Sequence, residues 1–152
     1  MRNNRRLVPI ALLALAGLLH PAILHAEEAE APSLYKRMGG YDTLAAIFDN
    51  VAPKMAADPM FAAFFSGHAT DSDIRQRQRA LELLCQDSGG PCRYTGRPLK
   101  TAHGGLAIST AQWSAFLQHF GDTMAELKVG APEQQELLAM VGKYKSDIVE
   151  KP

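Results

Sequence analysis

The residue best equipped for chemistry is His103, one of five histidines in the chain. It sits in a stretch from Gly89 to Ser109 that reads GGPCRYTGRPLKTAHGGLAIS. Two glycine pairs, two prolines and a Tyr-Thr-Gly turn make this stretch irregular, whereas its surroundings read as amphipathic helix. Small helical proteins tend to put a functional group in such a segment. A neutral imidazole is a good ligand for a transition metal. Taken alone, though, a histidine beside Gly104-Gly105 reads as a solvated loop residue. The other chemistry-bearing pair is Cys85 and Cys92, the only cysteines, which flank the turn at Gly89-Gly90.

The elements that must position these residues read as helices. Ser33 can cap a brief helix over Leu34, Tyr35 and Met38, and Gly39-Gly40 stops it. Asp42 opens a second helix. Leu44, Ile47, Phe48, Val51 and Met55 form its apolar stripe. Pro53 lies inside the stripe and is expected to kink or break the helix. Asp58-Pro59 starts a turn, followed by a Met60, Phe61, Phe64 and Phe65 cluster. Such a cluster suits a core, or a flat apolar macrocycle. Asp71-Ser72-Asp73 reads as an N-cap for a helix from Ile74 to Asp87. Arg75, Arg77 and Arg79 spread around that helix. Leu99 to Gly105 has room for a turn or two of helix. Ser109 or Thr110 caps a helix carrying Trp113, Phe116, Leu117, Phe120 and Met124 on one face. Pro132 suits the start of a last helix that runs through Leu137, Leu138, Val141, Tyr144 and Ile148. The expected class is all-α, with five or six helices and no internal repeat.

Length and composition set the bounds. The 152 residues suffice for one domain with a core, and 47% hydrophobic content is globular. Net charge is zero and the cations are scattered, which leaves no nucleic-acid footprint. Residues 1–26 read as a signal peptide: Arg2, Arg5 and Arg6, then an apolar run from Leu7 to Leu19, then Ala26 at a cleavage site. The run is short for a membrane-spanning helix, so no stable insertion is expected after cleavage. The alternative is an uncleaved anchor. Residues 27–32 form an acidic linker, and 33–150 the folded domain. Cleavage would leave 13 basic and 16 acidic residues. Export, with the periplasm as the expected destination, would put Cys85 and Cys92 in an oxidising compartment. There a bridge is expected, closing a short loop for about 2–3 kcal/mol. Two separate thiols are the alternative.

The ordered set of Leu34-Tyr35, Gly39-Gly40, Phe64-Phe65-Ser66, Gly89-Gly90-Pro91, Tyr94-Thr95-Gly96 and Leu99-Lys100-x-x-His103 resembles the group I truncated haemoglobins. These are the short two-over-two globins, and the resemblance spans Leu34 to Val149. It implies a two-over-two helical sandwich holding haem. His103 falls on the proximal histidine that ligates the haem iron. Phe65 falls on the phenylalanine against the haem face, and Tyr94 at the haem edge or as a loop anchor. With no Cys-x-x-Cys-His motif, c-type attachment is excluded, and non-covalent haem b is implied. One or two of Arg75, Arg77 and Arg79 would meet the haem propionates.

The distal side departs from the family. Its usual tyrosine, which donates a hydrogen bond to bound dioxygen, is replaced by Ala52. Counting back from Gly89, Gln76 is the substitute donor, with Ala80 one turn beyond. Counting from the other end puts Asp73 and Arg77 in the pocket. His68, in the preceding loop, is a sixth ligand only if that loop folds inward. His119 reads as a packed residue. The function implied is reversible binding of a diatomic gas (dioxygen, nitric oxide or carbon monoxide), in oxygen binding and transport or nitric oxide detoxification. Catalytic turnover would need an unidentified redox partner, because no flavin or nicotinamide motif is present. The alternatives are a six-coordinate electron carrier using His103 and His68, and a haem-free helical domain.

Overall fold

A computed structural model of the chain describes residues 31–67 and 69–152. The expected signal peptide, most of the linker and His68 lie outside the described residues. The described residues form eight helical segments and no strand beyond a single bridge between Ser109 and Lys151.

Ser33 accepts a hydrogen bond from the Lys36 N–H at 3.4 Å and so caps α1 (Leu34–Arg37). Gly39 and Gly40 follow at φ +93° and +82°, a region open to glycine, and turn the chain into α2 (Tyr41–Ala57). Leu44, Ile47 and Val51 are buried along α2, with Phe48 and Met55 packed beside them. The expected break at Pro53 does not occur, and α2 is continuous to Ala57. Pro53 and Asp49 are both exposed, so water can serve the carbonyl that proline leaves without a partner. The buried stripe holds the helix together on its other side.

A single turn, α3 (Ala62–Phe65), precedes α4 (Thr70–Asp87). Here too the expectation is corrected. The helix begins at Thr70, not Ile74, and Ala69 stands in the cap position. Asp71 and Asp73 lie in the first turn, where a negative charge complements the exposed N–H groups of the helix start. Residues read as a cap are therefore first-turn acids. The buried residues of α4 are Leu81, Leu84 and Cys85.

After α5 (Leu99–His103), Ser109 and Gln112 form a reciprocal capping box at the start of α6 (Thr110–Glu126). The last helix, expected to be continuous, is two: α7 (Ala131–Gly142) and α8 (Lys145–Ile148). Lys143 and Tyr144 donate to Met140 and Val141, three residues back, which tightens and ends α7 just after Gly142. The single turns account for eight segments where five or six were expected.

The elements pair as α2 with α4 and α6 with α7, and α2 joins the pairs by packing on α6. This is the two-over-two arrangement. Leu44, Ile47, Leu81, Phe120, Met124 and Leu137 are fully buried at its centre. Burying each such side chain stabilises the fold by about 1.5–3 kcal/mol. α4 packs chiefly on α2, and α5 chiefly on α8.

Candidate functional site

The stretch between α4 and α5 has no regular hydrogen-bond ladder, so other groups must hold it. Cys85 and Cys92 are joined by a disulfide with a Cα–Cα distance of 5.6 Å. It ties the last turn of α4 to the start of the stretch. Gly90 allows this: a Cβ there would lie 2.7 Å from the Cys85 carbonyl oxygen, its sulfur and the Tyr35 ring. Further along, Gln86 Oε1 accepts from the Tyr94 N–H at 2.9 Å. Glu82 Oε2 accepts from Arg79 at 2.7 Å, from the Thr95 N–H at 3.1 Å and from the Thr95 hydroxyl at 3.0 Å. Arg79 above all, then Thr95 and Gln78, holds the Glu82 carboxyl down to about 2. The Tyr94 hydroxyl donates to the Arg97 carbonyl at 2.6 Å. Its ring lies over Gly96, where a Cβ would come within 2.3 Å of the phenol oxygen. Tyr94 thus anchors the loop.

His103 ends α5 and is half-buried. Its Nδ1 lies 2.9 Å from the Leu99 carbonyl oxygen. A carbonyl only accepts, so Nδ1 carries the proton in this bond and the Nε2 lone pair remains for a ligand. Histidines that bind metals are commonly oriented by a bond of this kind.

Several apolar side chains lie outside the core cluster. Phe64 and Phe65 on α3, Leu83 on α4, Leu99 on α5 and Ile108 before α6 are all half-buried. None is among the side chains packed against the core cluster. Ile74 is 59% exposed and Leu106 46% exposed. A flat apolar macrocycle would cover such surfaces. Among the described residues no group of three or more His, Cys, Asp or Glu side chains could hold a bare metal ion. A histidine protonated on Nδ1 together with apolar side chains outside the core fits haem.

The remaining predicted positions fall as follows. Gln76 is exposed on α4, and Ala80, one turn along, is half-buried. Ala52 is half-buried on α2, beside the stripe that Val51 and Met55 define. Arg77 forms a two-point pair with Asp49 of α2, at 2.6 and 2.7 Å. That pair raises the Arg77 guanidinium further above its ordinary value and lowers the Asp49 carboxyl. It commits Arg77 to bracing α4 on α2. Arg79 is likewise engaged, with Glu82 and Thr95. Arg75 donates to the Ser72 hydroxyl at 3.4 Å. His119 pairs with Asp58 at 2.9 Å and meets Phe61 edge-on. That contact joins α6 to the end of α2, and hydrogen bonds from His119 and from the Met60 N–H lower the Asp58 carboxyl.

Sequence reading missed Glu82, Gln86 and Glu150. The first two stand four apart on α4 and so share a face, which was a usable signal. Glu150 accepts from the Gly105 N–H at 2.8 Å and the Ala107 N–H at 2.6 Å, and nothing local marks it.

Comparison with known proteins identifies the scaffold. Residues 33–150 match the family model described as bacterial-like globin. The chain is 31% identical over 119 residues to the group 1 truncated hemoglobin GlbN of Nostoc commune, covering 78% of this chain and 98% of that one. To group 1 truncated hemoglobin LI410 of Chlamydomonas moewusii it is 30% identical over 122 residues, covering 79% and 70%. The structure superposes on the truncated hemoglobin of Tetrahymena pyriformis in its Fe(III) form with a TM-score of 0.71. Identity there is 25%, over 79% of this chain and 100% of the other. The chain belongs to the bacterial-like globins, as a group I truncated globin, and that membership implies haem binding.

Proposed function

We propose that this protein holds haem b non-covalently through His103 and binds a diatomic gas on the opposite face. One observation carries the reading: the bond from His103 Nδ1 to the Leu99 carbonyl, which frees Nε2 to face iron. Held there, haem would supply an iron able to bind a diatomic gas. Both cysteines are engaged with each other, which leaves no thiol for a covalent link. Phe65, Leu83 and Ile108 would pack the macrocycle, and Tyr94 would border its edge.

The distal residues set the gas preference. Bound dioxygen carries partial negative charge and is retained by a hydrogen-bond donor. Ala52 offers none, and neither does Ala80. Gln76 is the amide that could reach over that face. Dioxygen should therefore leave quickly, with carbon monoxide and nitric oxide less affected. Conversion of nitric oxide to nitrate would draw electrons from an external partner. The leader-like residues 1–26 and the disulfide support an exported, periplasmic protein.

The test is a haem titration followed by visible spectra of the ferrous protein. The expected result is one haem per chain and rapid carbon monoxide binding. Gln76→Leu should speed dioxygen release about ten-fold, and Ala52→Tyr should slow it by a similar factor. A six-coordinate ferrous spectrum that carbon monoxide displaces slowly would favour an electron carrier with His68 as second ligand. A protein that takes up no haem would overturn the reading.

A further inference from the structure

The helix that carries His103 is too short to hold itself. α5 has five residues, and no side chain caps its start. Isolated helices of that length do not form. On its leading side, the Thr101 and Ala102 N–H groups both donate to the Pro98 carbonyl at 2.9 Å. The trailing side is held by the C-terminal end of the chain. The Leu106 N–H donates to the His103 carbonyl at 3.1 Å, and the turn continues through Gly105 at φ +84° and Ala107 at φ +53°. An alanine in that region is unfavourable and persists where its surroundings impose it.

Glu150 is what imposes it. One carboxylate oxygen accepts from the Gly105 N–H and the other from the Ala107 N–H. The same stretch is gripped through its backbone. The Glu150 and Lys151 N–H groups donate to the Ile108 carbonyl at 2.8 and 3.1 Å, and the Thr110 N–H donates to the Lys151 carbonyl at 3.0 Å. These bonds close a strap from the chain's end over the turn that leaves His103.

We propose that Glu150 is a positioning residue for His103: by clamping Gly105 and Ala107 it fixes the angle at which the imidazole meets the haem iron. This rests on the haem reading above. Outer groups that orient a metal ligand govern affinity as well as geometry. Loss of the clamp should let the single-turn helix rock and the iron–histidine bond weaken.

The experiment compares the haem-loaded full chain with Glu150→Ala, Glu150→Gln and a control, Tyr144→Phe. The control removes the 2.5 Å bond from Tyr144 to Asp87, which joins α4 to the N-cap residue of α8 and leaves both Glu150 bonds in place. Two readouts are the iron–histidine stretching band of the ferrous protein and the rate of haem transfer to excess apomyoglobin. Glu150→Ala should shift or broaden the band and speed haem loss roughly ten-fold. Glu150→Gln, which keeps one acceptor oxygen, should fall between, and it decides the matter if the alanine variant fails to fold. Tyr144→Phe should lower stability with the band unmoved. Wild-type band and haem-loss rate in both Glu150 variants would overturn the proposal and leave Glu150 a structural cap. A wild-type chain without haem would overturn the haem reading and this proposal together.

Discussion

The interface between α2 and α6 and the segment from Gly89 to Ser109 are held by different forces. Between the helices, Leu44, Ile47, Phe120 and Met124 are fully buried, and apolar packing does the work. Along the segment there is little apolar burial. Its order comes from side chains reaching its backbone: Gln86 to Tyr94, Glu82 to Thr95, Tyr94 to Arg97, and Glu150 to Gly105 and Ala107. Packing is non-directional and strong in sum, whereas hydrogen bonds fix direction at small net stability. A core needs the first. A ligand-bearing loop needs the second, because its own apolar side chains must stay available for the ligand. Within the segment, Leu99 and Ile108 are only half-buried.

The largest expected effect lies on the packed side. Phe120→Ala should cost about 3–5 kcal/mol in denaturant unfolding, since a fully buried ring leaves a cavity. Molecules that remain folded should keep the wild-type haem spectrum. A changed spectrum at full folding would show that the two regions are not separable.

Next is the covalent tie from the segment to the core, through Cys85 of α4. Replacing Cys85 and Cys92 together by alanine should cost about 2.5 kcal/mol by the loop-entropy model. Amide exchange should speed up first in the segment and last in α2. Uniform acceleration would mean that the bridge supports the whole fold.

Thr123 offers a smaller and opposite test within the core. It is fully buried, and among the described residues its hydroxyl has no partner. Thr123→Val should therefore stabilise by about 1 kcal/mol, read as a rise in Tm. A loss would mean that the hydroxyl has a partner after all.

The smallest effect belongs to Glu82, whose pair with the exposed Arg79 is screened by water. Its carboxyl is held down to about 2 from an ordinary 4.5, so it favours the folded state when ionised. That contribution is complete above about pH 4.5 and disappears as pH falls toward about 2. The Thr95 amide signal should follow this titration, and Glu82→Gln should abolish it.

Much of the fold was legible because helices announce themselves through spacing. The α2 and α6 stripes, the Ser33 cap and the Ser109 cap all follow local rules, and the structure has each of them. Errors came where a local rule met a non-local constraint. Pro53 leaves α2 intact because its missing bond faces water while the opposite face is packed. Gly142 and the anchored Tyr144 divide a pattern that looked continuous through Ile148. At the site, the place of His103 in the irregular segment was legible from the order of motifs around it. Its supporting bonds were not. A carboxylate at Glu150 carries no mark that it will meet Gly105, because the fold alone brings them together. Likewise the Asp49–Arg77 pair depends on how α2 and α4 cross, so nothing in the sequence marks Arg77 as a brace.

The most direct test of the central claim is removal and chemical rescue of the imidazole. His103→Gly should lose the wild-type ferrous haem spectrum and hold haem weakly, and added free imidazole should restore a five-coordinate spectrum that binds carbon monoxide. If His103→Gly keeps the wild-type spectrum and haem affinity without imidazole, His103 is not the iron ligand and the account of the site is wrong.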